Sequence, residues 1–157
     1  MLPAMAAPRW LNDDEQQTWR TFREMLIRLD EALDRQLERD SGMPHAYYMI
    51  LAMLSEAPGR SLRMSQLAAV NSYSLSRLSH AVARLEERGL VRREDCPTDR
   101  RGAIAVLTDA GWDVLVAAAP GHVGEIRRRL FDPLTAEESA MLGTISSKVA
   151  QAVKAPV

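Results

Sequence analysis

Between Leu67 and Gly111 the chain lays down a short helix, a tight turn, a long helix, a two-stranded hairpin and a new helix start, in that order. The long helix, read as Ser74 to Arg88, carries Leu75, Leu78, Val82 and Leu85 on one side of a helical wheel, which must face a core. Tyr73, Ser76, His80, Ala83 and Arg84 fall on the opposite side, with Arg77 on its flank. Small hydroxyls, a histidine and arginines bury poorly but suit hydrogen bonding to base edges. Gly89 supplies the helix stop. Leu90 to Glu94 and Ala103 to Leu107 are β-prone runs, joined by a turn over residues 97–102 with Arg100 and Arg101 at its tip. The order is that of a helix-turn-helix followed by a β wing, which offers one helix to a major groove and basic side chains to the adjacent backbone or minor groove.

The flanks are helical. Asn12 to Glu15 gives a cap and an acidic first turn. Trp19, Phe22, Leu26, Leu29 and Leu33 then form one stripe at 3-4 spacing, up to a break at Ser41-Gly42. Residues 44–56 read as a second helix, with Tyr47, Ile50, Leu51 and Leu54 apolar. Met64 to Val70 reads as a third, with Ser65 as a candidate cap. Thr108 caps a fifth helix, which Pro120 is expected to break, opening a new helical piece that carries Arg127, Arg128 and Arg129. Thr135 and Glu138 have capping-box spacing, and Leu142, Ile145 and Val149 form the stripe of a last helix. The fold class is therefore mainly α with a small β hairpin. The chain is read as one domain over residues 1–157, with a winged lobe at 44–107 flanked by helices at 11–40 and 108–155. The two flanking stripes exceed what the small lobe covers, so they are expected to pair with each other and with a second copy; packing back on their own lobe is the alternative.

Charge points the same way. The 157 residues carry a net −1, but Arg60 to Arg101 holds nine basic residues against five acids, a net of +4. Leu11 to Asp40 holds nine acids against five arginines, a net of −4. A basic middle in a near-neutral chain fits a phosphate-facing surface, or simply a set of solvated helix faces. No apolar run is long enough for a membrane span and the start lacks a secretion-signal pattern, so a cytoplasmic protein is expected. His45, His80, His122 and Cys96 show no metal-ligand spacing, and no nucleophile-elbow or phosphate-loop motif occurs. Neither a metal, a cofactor nor an enzyme is expected. Cys96, the single cysteine, sits at the root of the wing, either as a structural residue or as a redox switch that moves it.

In DRRGAIAVLTDAG from Asp99 to Gly111, RLEERGLVRRE from Arg84 to Glu94, LRMSQLA from Leu62 to Ala68 and LTAEE from Leu134 to Glu138, the chain resembles the MarR family of transcriptional regulators. The resemblance covers nearly everything after Trp10. It implies a homodimer with interleaved terminal helices and two winged lobes on a palindromic operator in double-stranded DNA, most simply as a repressor. Carried over by position, Tyr73, Ser74, Ser76, Arg77, His80 and Arg84 form the reading surface. Arg100 or Arg101 probes the minor groove, and Asp99 braces a wing arginine. The resemblance also implies a crevice for a small aromatic or phenolic effector, for which Trp19, Phe22, His45, Tyr47 and Tyr48 are the candidates; core packing is the alternative for each. Two positions depart from the family pattern. Asn71 stands where an apolar residue is usual. Leu75 stands where a polar or basic one is common, and if outward it could touch a thymine methyl. A winged protein-interaction module that has lost DNA binding is the competing function; it would have no need of Arg100 and Arg101.

Overall fold

Local caps set most of the helix boundaries in the structure, a computed structural model. It describes residues 8–96 and 99–154, with residues 99–101 and 154 described for the backbone alone. Helix α1 (Asp13–Ser41) begins where Asn12 accepts from the Glu15 N–H and the Glu15 side chain accepts from the Asn12 N–H. Helices α2 (His45–Glu56) and α3 (Met64–Val70) follow, and then α4 (Leu75–Glu87), capped by Ser74. Strands β2 (Val91–Cys96) and β3 (Asp99–Leu107) form the wing. Thr108 caps α5 (Asp109–Ile126), and reciprocal bonds between Thr135 and Glu138 open α6 (Ala136–Lys154).

Four expectations are corrected. The sheet has three strands, not two. Ser61–Arg63 forms β1, which pairs antiparallel with the central strand β3, giving the order β1-β3-β2. Helix α3 is capped at Arg63, whose N–H bonds to the Gln66 side chain, rather than at Ser65. β3 already begins at Asp99, inside the stretch 97–102 expected as a turn. Finally, α5 runs straight through Pro120. Its buried residues, Leu115, Ala118, His122 and Glu125, recur at 3-4 spacing across the proline, so packing against α1 outweighs the local cost. Pro120 itself is exposed. The irregularity comes later, as one π-helical turn at Arg127–Phe131 that holds the three arginines.

The core is aliphatic. Leu37 from α1, Ile50, Leu51 and Leu54 from α2, Leu67 from α3, and Leu78, Val82 and Leu85 from α4 are fully buried. Val91 from β2 and Ala105 from β3 close it below, and Leu115 and Ala118 join it from α5. Only the C-terminal half of α1 takes part. Trp19, Phe22 and Leu26 stay exposed, as do Met141, Ile145 and Val149 of α6. A groove of about 610 Å³ runs between these helices.

Two glycines at the wing root fix how α4, β2 and α5 meet. Gly89 turns at φ +71°, a conformation costly for other residues, and lets the chain reverse from α4 into β2. Thr108 then clamps the turn: its N–H donates to the Leu90 carbonyl at 3.1 Å, and its hydroxyl donates to the Gly89 carbonyl at 2.7 Å. Gly111 packs flat on this turn. A Cβ there would stand 2.1 Å from the Leu90 carbonyl oxygen, a backbone atom that cannot swing aside. We therefore expect Gly111→Ala to lower stability by about 3 kcal/mol or more in urea unfolding. Gly124→Ala, on open space, should be close to neutral. A Gly111→Ala protein as stable as wild type would show that the turn has no fixed seat on α5.

Candidate nucleic-acid interface

Helix α4 has one buried face and one polar face. Ser74 caps it, its hydroxyl accepting from the Arg77 N–H at 3.2 Å, so this oxygen is already engaged in holding the first turn. Leu78, Ala81, Val82 and Leu85 turn inward. Ser76, Arg77, His80 and Arg84 are exposed on the other side. Tyr73 is half-buried, with the Arg77 guanidinium 4.3 Å from its ring centroid. That stacking holds an arginine beside the polar face of α4. Arg84 bonds Glu87 at 2.9 Å, and this carboxylate holds the guanidinium further above its ordinary pKa. The pair is exposed and therefore weak, so a phosphate can compete for the arginine. Tyr47 of α2 lines a groove of about 570 Å³ with Tyr73, Arg77, His80 and Arg84, placing it on this surface.

Leu75 requires a correction. The wheel put it inward with Leu78, but it is 56% exposed. It is the first residue of α4, and the core stops short of it. Asn71, the other departure, closes α3: its side-chain amide donates to the Leu67 carbonyl at 2.9 Å. An apolar residue could not make that bond.

The wing is braced to α4. The Arg93 N–H donates to the Glu86 carboxylate at 3.1 Å, and its guanidinium donates to the Ser79 carbonyl at 3.1 Å. Arg92 is matched by Glu94 at 2.8 Å. Cys96 ends β2 opposite Asp99 in the register, with its side chain buried. The side chains of Asp99, Arg100 and Arg101 lie outside the described residues; the backbone carries their positions at the start of β3.

The MarR family model matches residues 41–102, which span α2 to the start of β3. Among solved structures, the chain is similar to Sco3205, a MarR family transcriptional regulator from Streptomyces coelicolor solved in complex with DNA. The identity is 52%, the TM-score is 0.91, and the match covers 95% of this chain and 93% of that one. It is also similar to AbsC, a MarR family transcriptional regulator from the same organism, at 41% identity and a TM-score of 0.87, over 94% of this chain and 99% of that one. The transcriptional regulator HosA of Escherichia coli O111:H- is 31% identical over 106 residues, which are 67% of this chain and 76% of that protein. The chain belongs to the MarR family. It is thus a transcriptional regulator with a winged helix, and members of this family are not enzymes. Among its described residues, no group of three or more His, Cys, Asp or Glu is placed to hold a metal ion. Among the described residues, no helix is long and apolar enough to cross a membrane.

In this MarR chain the five residues expected to line an effector crevice do not gather. Trp19 and Phe22 are exposed on the N-terminal half of α1, and Tyr47 sits on the α4 groove. His45 and Tyr48 do meet, around a residue the sequence did not single out, His122 of α5. The His122 ring lies 4.3 Å from the Tyr48 ring and 5.2 Å from the His45 ring, centroid to centroid. Asp34 of α1 accepts the His45 N–H at 2.8 Å and so caps α2 from outside; Asp30 lies 3.0 Å from His45 Nδ1. Other buried polar groups also escaped the sequence reading. Gln36 is 2% exposed, and Glu125 bonds Arg128 and Arg129. The Glu-x-x-Arg-Arg spacing could have revealed the last of these. Nothing local marks His122 or Gln36.

His122 is 4% exposed, and its Nδ1 has no protein partner. Burial first, and then the neighbouring His45, push its pKa down to about 4. The native state therefore holds it neutral, while the unfolded chain protonates it near pH 6.5. Stability should fall as pH drops through the window from about 6.5 to 4, by at most about 3 kcal/mol. In His122→Phe that part of the slope should vanish. Equal pH dependence of denaturant midpoints in the two proteins would contradict the assignment.

Proposed function

We propose that this regulator binds a palindromic DNA operator as a homodimer and represses the genes beside it. The observation that carries the reading is the outward polar face of α4, held beside a braced basic wing, in a chain 52% identical to Sco3205, solved in complex with DNA. In this reading residues 44–107 are the DNA-binding lobe. Ser76, Arg77, His80 and Arg84 reach the major groove, with Tyr73 and Tyr47 supporting them and Ser74 holding the helix end. Asp99, Arg100 and Arg101 serve the minor groove or its phosphates. The helices at 11–40 and 108–155 join two copies. The exposed stripe of Trp19, Phe22 and Leu26 and that of Met141, Ile145 and Val149 supply the apolar surface such an interface needs.

A small aromatic acid as effector belongs to the same reading. The packed rings of His45, Tyr48 and His122 lie where α1, α2 and α5 meet, so a ligand there can bias the spacing of two lobes. A tenfold loss of DNA affinity requires about 1.4 kcal/mol of difference in its affinity for the two arrangements.

Sedimentation at micromolar concentration should show twice the 17.5 kDa chain mass. Replacing Arg100 and Arg101 by Ala should weaken binding to every duplex and flatten the salt dependence by about one unit for each phosphate left without its arginine. His80→Ala and Ser76→Ala should change base preference more than overall affinity. In the same titration a phenolic acid should weaken wild-type binding and leave Tyr48→Ala unaffected. A monomer, or a double arginine variant with the wild-type slope, would refute the corresponding part of this reading.

A further inference from the structure

Between residues 44 and 107, just two large apolar side chains are exposed among those described, Val70 at 55% and Leu75 at 56%. Both flank the turn that leads into α4: Val70 ends α3 and Leu75 begins α4. The other large apolar side chains of α4, Leu78, Val82 and Leu85, are at 0%. An exposed leucine stands out on a helix whose every other outward position is polar or small. Side chains on a helix lean toward its N-terminus, so Leu75, the first residue of α4, leans toward the end capped by Ser74. In a helix-turn-helix, that N-terminal end is the part that meets base edges.

The chemistry of the major groove offers one apolar feature, the 5-methyl group of thymine. Ser76 and Arg77 follow Leu75 and carry the hydrogen-bonding groups of the same turn, so a methyl contact beside them would add what hydroxyl and guanidinium cannot sense. We infer that Leu75 reads the 5-methyl group of a thymine in each half-site of the operator. This rests on the DNA-binding reading above and adds to it a base whose identity is set by van der Waals contact. It also accounts for an aliphatic residue at a position where a donor or acceptor would otherwise serve.

The test removes the methyl group alone. Duplexes bound by the full-length protein are selected from a pool of random sequence, and each thymine of the preferred site is replaced in turn by deoxyuridine. At one thymine per half-site the change should weaken wild-type binding about fourfold, the value of one buried methyl-sized group. Leu75→Ala should bind the thymine duplex less tightly than wild type does, by a similar factor, and should not distinguish thymine from uracil at that position. Because Leu75 is exposed, Leu75→Ala should unfold at the same denaturant concentration as wild type, and Leu75→Met should retain the discrimination. The inference is overturned if no uracil substitution affects wild-type binding, or if Leu75→Ala still prefers thymine there. Selective binding by wild type in either case keeps the DNA-binding reading intact. Failure to retain any duplex from the pool overturns both.

Discussion

Burial of Leu78, Val82 and Leu85 decides which face α4 presents to its surroundings. Removing three branched side chains from water contributes several kcal/mol, far more than any one exposed polar contact on the same helix. Once those residues point inward, the 100° step per residue leaves Ser76, His80 and Arg84 on the outside. The exposed polar face is thus a consequence of the core. Its residues are not needed to hold α4 in place and can vary with the DNA sequence, whereas a change at Val82 would move the whole surface.

The second constraint is the wing root. Gly89 reverses the chain, Thr108 bonds the carbonyls of Gly89 and Leu90, and Gly111 lets α5 sit directly on that turn. Arg93 meanwhile ties β2 to the backbone and a carboxylate of α4. α4, the wing and α5 are therefore tied to one another at the wing root. α5 in turn packs on α1, close enough for Gly121 to face the Gln36 amide. Through that contact, the placement of α1 and α6 in a dimer would set the distance between two reading helices. The ring cluster of His45, Tyr48 and His122 lies on this route.

Most element boundaries were legible because they rest on short-range chemistry. The Asn12 and Thr108 caps, the Gly89 stop and the Thr135–Glu138 box each involve residues within three or four positions. What escaped depends on distant partners. Three-residue β1 has no alternation to announce it and exists because β3 pairs with it. Pro120 stays helical because α1 supports its neighbours. A helical wheel gives the direction of Leu75 but cannot say where the core ends, so its exposure was unforeseen. The exposure of Ser76, Arg77, His80 and Arg84 was readable from the wheel. The grouping of His45, Tyr48 and His122 was not, since it joins three helices, and Trp19 and Phe22 lie on a part of α1 that only a second copy could bring near them.

The central claim, that α4 enters a major groove through its polar face, is tested most directly by chemical footprinting of a bound operator at major-groove atoms. Dimethyl sulfate modifies guanine N7, which lies in that groove. Protection at two patches centred about one helical turn apart, roughly 10 base pairs, is the predicted result. His80→Ala should alter the protection within each patch without moving the patches. Binding that leaves every guanine N7 in the site as reactive as in bare DNA would contradict the account.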